Sequence, residues 1–492
     1  MTRIDSATAP SSIDSALTGY DFDEEAGGFG EPPHVPDETR RSALEWLGLA
    51  LAGLGATFFV LSATTGVLRG TWGGFLGSFG LLVAGAFVFF ADRYRGTQPG
   101  IRNDNTYFSG AKNRGALGWA LGIGFTGFYL VLYFYESYWR TWGMPRLLDG
   151  PIRLVDPLAL LLTGHAADRW FLYGTLYTLL ILVFGVRMFW RYRHNRYQLL
   201  RTASVMFFQL AFAFLIPNLL KLFQQPEFYF SYFWPLKPEY LFPTELAALT
   251  EASRLGVFMA FWGVVLGLVG VPILTYFHGK RWYCSWVCGC GGLAETLGDP
   301  WRHQSIKSTS AWKLERWLIH SVLVLIVVTT GCLWINSATE GRLLGRASQT
   351  FASFYGLWIG AVFSGVIGVG FYPLLGNRVW CRFGCPQAAI LGLFQRFASR
   401  FRITTNGSQC MSCGNCSTYC EMGIDVRAYA QRGENIVRAS CVGCGVCSAV
   451  CPRGVLKLEN GKEIGDRYPG ASQPVQAFLH AVTTPPEQGR NC

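Results

Sequence analysis

Eight cysteines near the C-terminal end of the chain repeat one spacing twice. The first run is Cys410-x2-Cys413-x2-Cys416-x3-Cys420, and the second is Cys441-x2-Cys444-x2-Cys447-x3-Cys451, which Pro452 follows. Thiolates three residues apart can all turn toward one iron–sulfur cube, because the short loop between them curls around it. In this pattern the fourth cysteine of each run ligates the cluster of the other run. The spacing therefore predicts electron transfer at two 4Fe–4S clusters.

The spacing divides these cysteines into two predicted ligand sets. The first set is Cys410, Cys413, Cys416 and Cys451, and the second is Cys441, Cys444, Cys447 and Cys420. Cys-x2-Cys pairs also suit zinc, which takes four ligands. The paired rhythm of two, two and three intervening residues has no simple zinc interpretation, so we favour iron–sulfur clusters.

Two further cysteine pairs stand at the ends of predicted membrane helices. They are Cys284-x3-Cys288, which Gly289 and Cys290 follow, and Cys381-x3-Cys385, which Pro386 follows. Within a helical turn, side chains four residues apart face the same way, so the pairs predict four convergent thiolates if the helix ends meet. Four thiolates would hold a third iron–sulfur cluster, another metal ion or a redox disulfide. The alternative is a set of small buried residues, since free cysteine is commonly buried.

Basic residues lie near the two Cys-x3-Cys pairs in the sequence and would support a redox or metal role for their thiolates. We expect five basic residues around the thiols: Arg281, Arg302, Lys307, Arg382 and Arg400. Positive charge lowers the pKa of a thiol and stabilises an anionic cluster. The alternative is that these charges only set the membrane topology. Cys290 is a further candidate ligand in place of Cys284 or Cys288.

The composition of the chain is that of a membrane protein. Of its 492 residues, 50% are hydrophobic and only 15% are charged. Eight apolar runs of about 20 residues, the length that crosses a bilayer, predict eight membrane helices. They lie near 43–67, 72–91, 116–136, 170–190, 203–223, 254–277, 316–336 and 352–375. We predict a polytopic α-helical membrane protein with a small cytoplasmic α+β domain of the bacterial ferredoxin type.

Charged loops predict how the helices are oriented. Basic loops such as 92–115, 191–201 and 278–315 alternate with loops that are poorer in Lys and Arg. Cytoplasmic loops carry the excess of positive charge, so this alternation favours both termini and the cysteine runs in the cytoplasm. Thiolates that ligate iron also need a reducing compartment. The net charge of +11 therefore reports topology and gives no sign of a nucleic-acid partner.

We divide the chain into five predicted regions. They are an acidic disordered tail (1–42), a four-helix membrane region (43–202), a membrane core with the Cys-x3-Cys pairs (203–400), the ferredoxin-type domain (401–466) and a flexible tail (467–492). The first tail is acidic and rich in Ser, Gly and Pro, a composition that buries no core. The aromatic stretch 228–240 falls in a predicted outer loop, where an aromatic belt at the membrane surface explains it.

The combination of motifs resembles a known family. Spans five to eight, the Cys-x3-Cys pairs and the paired runs, over about residues 203–460, are similar to the membrane polyferredoxins of the NapH, NosR and CcoG type. The resemblance implies a multi-span membrane protein with two 4Fe–4S clusters. It does not single out one branch, because this chain has four additional N-terminal spans and lacks the large outer flavin-binding domain of the NosR type.

Two positions depart from the pattern of that family. Gly289 stands where the Cys-x3-Cys-Pro motif has proline, whereas Pro386 fits the motif. Glu421 follows Cys420 where the family has proline. Proline shapes the turn after the ligand, so we expect Glu421 to alter the local backbone and to leave the ligation intact.

These observations predict a protein that passes electrons between a cytoplasmic partner, either a subunit or a soluble carrier, and a membrane component such as quinone. Two alternatives are an assembly factor that supplies electrons for metallocofactor insertion into a respiratory complex, and a thiol–disulfide relay. No residues for making substrate bonds are evident, so we expect an electron-transfer subunit of an oxidoreductase. His320, inside the seventh span, is the candidate acceptor of a quinol proton, with a packed histidine as the simpler interpretation.

Overall fold

The computed structural model describes residues 41–95, 115–142, 148–406 and 409–460. Most of the predicted acidic tail, the whole of the predicted C-terminal tail and the predicted domain end at residue 466 lie outside these ranges. Within them the chain is mostly helical, and one two-stranded sheet lies near its C-terminal end.

Eight of the described helices are long and apolar enough to cross a membrane. They are α1 (Ala43–Thr65), α2 (Trp72–Arg93), α3 (Ala116–Trp142), α4 (Arg169–Arg191), α5 (Arg196–Leu222), α6 (Arg254–His278), α7 (Thr309–Ala338) and α8 (Arg346–Ile367). Four of them contain a wider π-helical stretch: Leu76–Gly80, Phe208–Leu215, Leu266–Gly270 and Gly356–Ile367. The predicted fold class, a polytopic helical membrane protein with a ferredoxin-type region, is confirmed.

Short helices connect the spans and build the C-terminal region. They are Asp149–Leu154, Asp156–Thr163, Pro238–Leu241, Pro243–Ala252, Arg281–Cys284, Gly289–Thr296, Asp299–Gln304, Tyr372–Leu375, Trp380–Gly384, Pro386–Phe397, Asn415–Thr418, Val426–Arg432 and Val446–Ala449. Six of these helices lie between the end of α6 and residue 400, where the two Cys-x3-Cys pairs also lie.

Some predicted span limits are wrong by several residues. Helix α5 begins at Arg196, not 203, because the Asn195 side chain caps it by accepting from the backbone amides of Tyr197 and Gln198. The predicted boundary at residue 202 therefore falls inside this helix. Helix α8 ends at Ile367, not 375, and Pro373 starts the next short helix. Proline has no N–H for a helical hydrogen bond, so it suits a first turn and not a helix interior.

Helices α1 and α2 pack with their backbones in contact. A Cβ atom on Gly48 would lie 2.8 Å from the carbonyl oxygen of Gly85, and one on Gly85 would lie 2.5 Å from that of Gly48. Small residues allow such close approach between membrane helices. Helix α2 also packs on α4, and α4 in turn packs on the helix Gly289–Thr296, which follows the first Cys-x3-Cys pair.

The loop between α5 and α6 reaches back toward the cysteine pairs. Phe233, at its tip, is 1% exposed, and its ring centroid lies 4.8 Å from that of Tyr283. The Tyr283 hydroxyl donates to the Ser231 carbonyl at 3.0 Å. The prediction of a surface aromatic belt at 228–240 is therefore wrong for the tip of the loop. Its rings are buried because they pack on one another and on the segment after α6.

The last described region, 401–460, is called the ferredoxin segment below. Strand β1 (Phe401–Thr405) pairs antiparallel with β2 (Leu456–Asn460), with Phe401 opposite Asn460. The two cysteine runs lie between the strands, and a short helix contains the third cysteine of each run. Gly414 and Gly445 occupy equivalent places in the runs, with φ angles of 81° and 77°. Only glycine adopts this left-handed conformation at little cost, so the sequence repeat gives a repeated turn.

Candidate metal centre

The eight cysteines of the two runs line two cavities. The first, called the rim cavity, has Cys410, Cys413, Cys416 and Cys451 in its lining. The second, called the inner cavity, has Cys420, Cys441, Cys444 and Cys447. The division of the thiols between the cavities follows the same four-and-four pattern as the predicted ligand sets.

The residues around each cavity suit an iron–sulfur cluster. The thiols of one cavity act on one another: burial raises the pKa of Cys416 to about 11, and nearby Cys451, Cys413 and Cys410 add to the rise. Backbone amides also point at sulfur, as from Ile424 to the Cys420 Sγ atom at 3.4 Å. Among the described residues no three His, Cys, Asp or Glu side chains are close enough to hold a single metal ion. Thiols spread around a space suit a cluster of several irons.

The two cavities differ in their exposure to solvent. The lining of the rim cavity includes exposed residues, among them Met411, Cys413 and Arg453. None of the residues that line the inner cavity is exposed, although Cys420 and Cys444 are partly accessible. The residues of the inner cavity are less exposed because segments of the membrane region pack on them.

Residues from the membrane region bind the backbone around the inner cavity. From the start of α5, the Tyr197 hydroxyl donates to the Gly443 carbonyl and the Gln198 amide donates to the Cys444 carbonyl, both at 2.8 Å. After α6, the Ser285 hydroxyl donates to the Val442 carbonyl at 2.8 Å. The Gln395 amide donates to the Cys441 carbonyl, also at 2.8 Å. The second cysteine run is therefore held directly by the helices.

Glu421 anchors the first run to the same helices. Its buried carboxylate accepts from Arg302 at 2.6 Å and pairs with Arg378 at 3.0 Å. Burial alone would raise the pKa of Glu421, but the charges of these arginines lower it to about 2. Glu421, which stands where the family has proline, thus forms buried ion pairs that hold the chain beside Cys420. Sequence reasoning expected a change in backbone here and missed the charge partners.

The two Cys-x3-Cys pairs follow one local plan. Cys284 ends the helix Arg281–Cys284, and Cys288 immediately precedes the helix Gly289–Thr296. Cys381 lies in the wide turn Trp380–Gly384, and Cys385 caps the helix Pro386–Phe397 by accepting from an amide. A break between two helices separates Cys284 from Cys288, whereas Cys381 and Cys385 lie in one wide turn and at its C-terminal cap, so the prediction that each pair lies within one helical turn is wrong for the first pair only.

The four thiols, called the membrane-proximal thiols below, are buried together. Burial raises the pKa of Cys385 well above its usual range, and nearby Cys381, Cys284 and Cys288 add to the rise. Cys290 belongs to the same group, because its thiol forms a hydrogen bond with the Cys288 side chain. This hydrogen bond lowers the pKa of Cys288 to about 7, although burial acts to raise it. The structure thus brings both pairs together, with Cys290 as a fifth thiol.

The cations that act on these thiols are not all the predicted ones. The Arg378 guanidinium donates to the Cys381 Sγ atom at 3.6 Å and to the Cys284 carbonyl at 3.4 Å. Burial raises the pKa of Cys284 to about 12, and Lys280 and Arg378 oppose the rise. Neither was among the five predicted residues.

Those five residues have other partners in the structure. Arg302 pairs with Glu421 and Arg382 with Glu315, at 2.6 and 2.7 Å. Arg281 stacks on Phe401, and the Lys307 ammonium group donates to backbone carbonyls. The Arg400 backbone amide donates to the Tyr276 carbonyl at 2.8 Å.

Gly289 has a physical reason to replace proline. A Cβ atom there would lie 2.5 Å from the Gln209 Oε1 atom and 3.0 Å from the Tyr232 hydroxyl. A proline ring would need still more room. Tyr232 belongs to the loop between α5 and α6, so the tip of that loop occupies the space beside the membrane-proximal thiols.

A second buried ion-pair group ties the N-terminal spans to the site. Asp299 pairs with Arg187 at 3.1 Å, Arg191 at 3.0 Å and Arg302 at 3.3 Å. Burial would raise the pKa of Asp299, but Arg191, Arg187 and Arg302 together lower it to about 2. Sequence reasoning missed Asp299 and the charge partners of Glu421, although an acid in an apolar chain between basic residues is a signal for such a partner.

Family models match the three cysteine-bearing parts of the chain. Residues 409–456 match a 4Fe-4S dicluster domain, and residues 260–308 and 357–404 match a 4Fe-4S binding domain. The first range covers both cysteine runs, and the other two contain one Cys-x3-Cys pair each. No solved structure matches the chain.

Relatives point to the same class. The chain is 26% identical over 157 residues to YccM of Escherichia coli K12, a protein whose name assigns it provisionally to electron transport. It is 27% identical over 193 residues to MauN, the methylamine utilization ferredoxin-type protein of Paracoccus denitrificans, and 27% identical over 160 residues to NapH, a ferredoxin-type protein of Escherichia coli K12. These matches cover 30%, 36% and 31% of this chain and 43%, 63% and 52% of the relatives. The chain thus spans about half the length of the curated relatives it matches.

The fold and the cysteine sites therefore define a multi-span helical membrane protein with 4Fe–4S ferredoxin domains. Its homologues include the ferredoxin-type proteins NapH and MauN, together with YccM, and the resemblance to NapH is confirmed. The comparisons give no support to the assembly-factor and disulfide-relay alternatives.

Proposed function

We propose that this protein transfers electrons between a cytoplasmic partner and a membrane component such as quinone. The observation that carries the proposal is the order of the thiol sites. The rim cavity faces solvent, the inner cavity lies behind it, and Arg378 links the surroundings of the inner cavity to the membrane-proximal thiols. This order runs from solvent toward the membrane helices.

In this proposal the rim cavity and the inner cavity each hold one 4Fe–4S cluster through their four thiolates. A bound cluster supplies a site that gains and loses one electron. The chain's own residues exclude water from the inner cavity, donate backbone amides to sulfur and fix the cavity against the helices. Burial and hydrogen bonds to sulfur are the means by which a protein sets the potential of such a group.

The membrane-proximal thiols are the proposed third metal site, with Cys284, Cys288, Cys381 and Cys385 as ligands. Two observations support it: the convergence of the pairs, and the match of both segments to a 4Fe-4S binding domain. The test is iron and sulfide content with EPR, on the native protein and on a variant with all four cysteines changed to serine. The proposal expects about twelve irons to fall to about eight, at four irons per cluster. An unchanged iron content would overturn the third cluster and leave the other two standing.

Quinone reactivity is tested on protein reduced with dithionite in lipid vesicles. We expect a water-soluble ubiquinone or menaquinone analogue to reoxidise it, each quinone taking two electrons and two protons. Protein with a full iron content that no quinone reoxidises would exclude the quinone pool as the membrane component.

The sidedness of the protein is tested by labelling. Arg432→Cys lies in the ferredoxin segment and Arg342→Cys between α7 and α8, and both native side chains are exposed. With both termini in the cytoplasm, a membrane-impermeant maleimide labels the first variant only in inverted vesicles and the second only in right-side-out vesicles. The reverse pattern would place the ferredoxin segment outside the cytoplasm.

A further inference from the structure

The rim cavity opens onto a basic surface. Arg427 and Arg453 lie in its lining, and both are exposed. Exposed Met411, with 58% of its surface accessible, and exposed Cys413 complete the opening. The residues that line the rim cavity include these two arginines and no acidic side chain. We call this opening, formed by Met411, Cys413, Arg427 and Arg453, the basic rim.

Acidic residues near the basic rim are already engaged. Asp425 is half-buried, and its carboxylate accepts from the Ser417 hydroxyl at 2.7 Å and caps the helix Val426–Arg432. Glu434 pairs with Arg432 at 3.0 Å. The charge presented to solvent at the opening is therefore positive, and an exposed Lys457 on β2 adds to it.

The basic rim is also the part of the thiol sites that a soluble protein can approach. None of the residues lining the inner cavity is exposed, and the four membrane-proximal thiols are buried. A carrier protein must bring its own redox group close to the site that it reduces or oxidises. Accessibility and charge therefore select the same surface.

We propose that the basic rim is the docking surface for an acidic, soluble one-electron carrier protein. The proposal rests on the proposed electron-transfer function and names the chemistry of its partner. Opposite charges steer the encounter of two proteins and raise association rates by about 10- to 1,000-fold, an effect that salt screens. Exposed Met411 supplies an apolar contact beside the two arginines, and methionine is enriched in the cores of interfaces.

The probe for the test is a flavodoxin, an acidic carrier with a bound flavin. Binding of oxidised flavodoxin to the full-length protein in lipid nanodiscs is measured by calorimetry from low to high salt, so this readout involves no electron transfer. A stopped-flow experiment then follows reduction by flavodoxin hydroquinone. One electron moves to the membrane protein, and the anionic hydroquinone becomes the neutral semiquinone without loss of a proton.

The test variant is Arg427→Glu with Arg453→Glu, and its control is Lys313→Glu with Arg316→Glu. The control residues are exposed at the start of α7 and lie outside the lining of the rim cavity. We expect the test variant to bind flavodoxin at least about tenfold more weakly at low salt, with little further loss at high salt. The neutral variant Arg427→Gln with Arg453→Gln should bind flavodoxin with an affinity between those of the native protein and the test variant. The control variant should bind as tightly as the native protein does.

Two further measurements separate this proposal from the proposed function. The iron content of each variant checks that the cavities are intact, and reduction by the small cationic methyl viologen radical checks that they accept electrons. We expect both to stay at native levels in the test variant. Native protein that flavodoxin neither binds nor reduces, or a control variant that weakens equally, would overturn the acidic partner. Failure of dithionite and methyl viologen to reduce the native protein would instead overturn electron transfer itself.

Discussion

The rim cavity and the inner cavity arise from one cysteine spacing, yet their surroundings differ. The rim cavity is bounded by the ferredoxin segment alone and opens to solvent at Met411 and Cys413. The backbone of the inner cavity is bound by residues of three separate membrane-region segments, Tyr197 and Gln198, Ser285, and Gln395. The ligand motif thus determines which thiols meet. The rest of the chain determines whether water and proteins can reach them.

The largest expected effect comes from breaking the anchor on the inner side. Glu421→Ala removes one of the two buried carboxylate partners of Arg302 and one of the two of Arg378. A fully uncompensated buried charge costs about 3–5 kcal/mol, so we expect a loss toward the lower end of that range because Asp299 and Glu295 remain. Thermal unfolding in detergent measures the loss. The control is Glu434→Ala, which removes the exposed pair with Arg432 and should cost no more than about 1 kcal/mol. Equal losses in the two variants would show that the buried pairs do not anchor the segment.

Cysteine substitution compares the two cavities at the level of iron. Cys447→Ser should lose about four irons, because Cys447 is buried and no external ligand reaches its position to replace the thiolate. Cys413→Ser should retain a cluster that lacks about one iron, since Cys413 is exposed and water can reach its position. Iron content and the EPR spectrum of each purified variant distinguish these outcomes. Loss of four irons from both variants would contradict the expected effect of the difference in solvent exposure between Cys413 and Cys447.

Lowering the pH should weaken the buried ion pairs of Glu421 and Asp299 gradually, by protonating their carboxylates. The pKa values of Glu421 and Asp299 are both lowered to about 2, against about 4 in an unfolded chain. A lowered pKa in the folded state stabilises the fold above the unfolded pKa, and this contribution is lost as the pH falls from about 4 to about 2. The difference in free energy of unfolding between native protein and Glu421→Gln should therefore be constant above about pH 5 and shrink below pH 4. A difference that instead shrinks between pH 5 and 7 would point to other groups.

The smallest expected effect comes from removing one hydroxyl group. Tyr197→Phe removes the donor to the Gly443 carbonyl and the weaker acceptor of the Trp286 indole N–H, and it should cost about 1 kcal/mol. Gly443 lies beside the inner cavity, so we expect a change in one of the two reduced cluster signals in the EPR spectrum. Tyr429→Phe, in the ferredoxin segment away from the membrane helices, is the comparison. If Tyr429→Phe shifts the same EPR signal equally, the hydrogen bond from α5 does not affect the cluster of the inner cavity.

Periodicity and spacing predicted the parts of the molecule that depend on local rules. All eight spans were found because each is a long apolar run, and the grouping of the runs into two cavities follows from spacing and the turns at Gly414 and Gly445. The limits of α5 and α8 depended on a cap and a proline rather than on hydropathy, and they were misplaced.

Long-range partners were beyond sequence reasoning. Glu421 meets Arg302 across 119 positions, and Arg378 meets Glu295 across 83. Basic residues near the thiols suggested a positive environment, but burial of the matching acids was decided by packing. The return of Phe233 to the membrane-proximal thiols was also hidden, because an aromatic loop looks the same at a membrane surface and in a core.

The contacts of the membrane region with the inner cavity have a consequence for biogenesis. Tyr197 and Ser285 hold backbone carbonyls in the lining of this cavity, so docking of the ferredoxin segment fixes the loop that would have to move to admit a cluster. We therefore expect the cell to load this cavity more readily before the segment docks than after. In cells starved of iron, newly made protein should expose the segment to protease, and iron restored later should rescue new chains more than old ones.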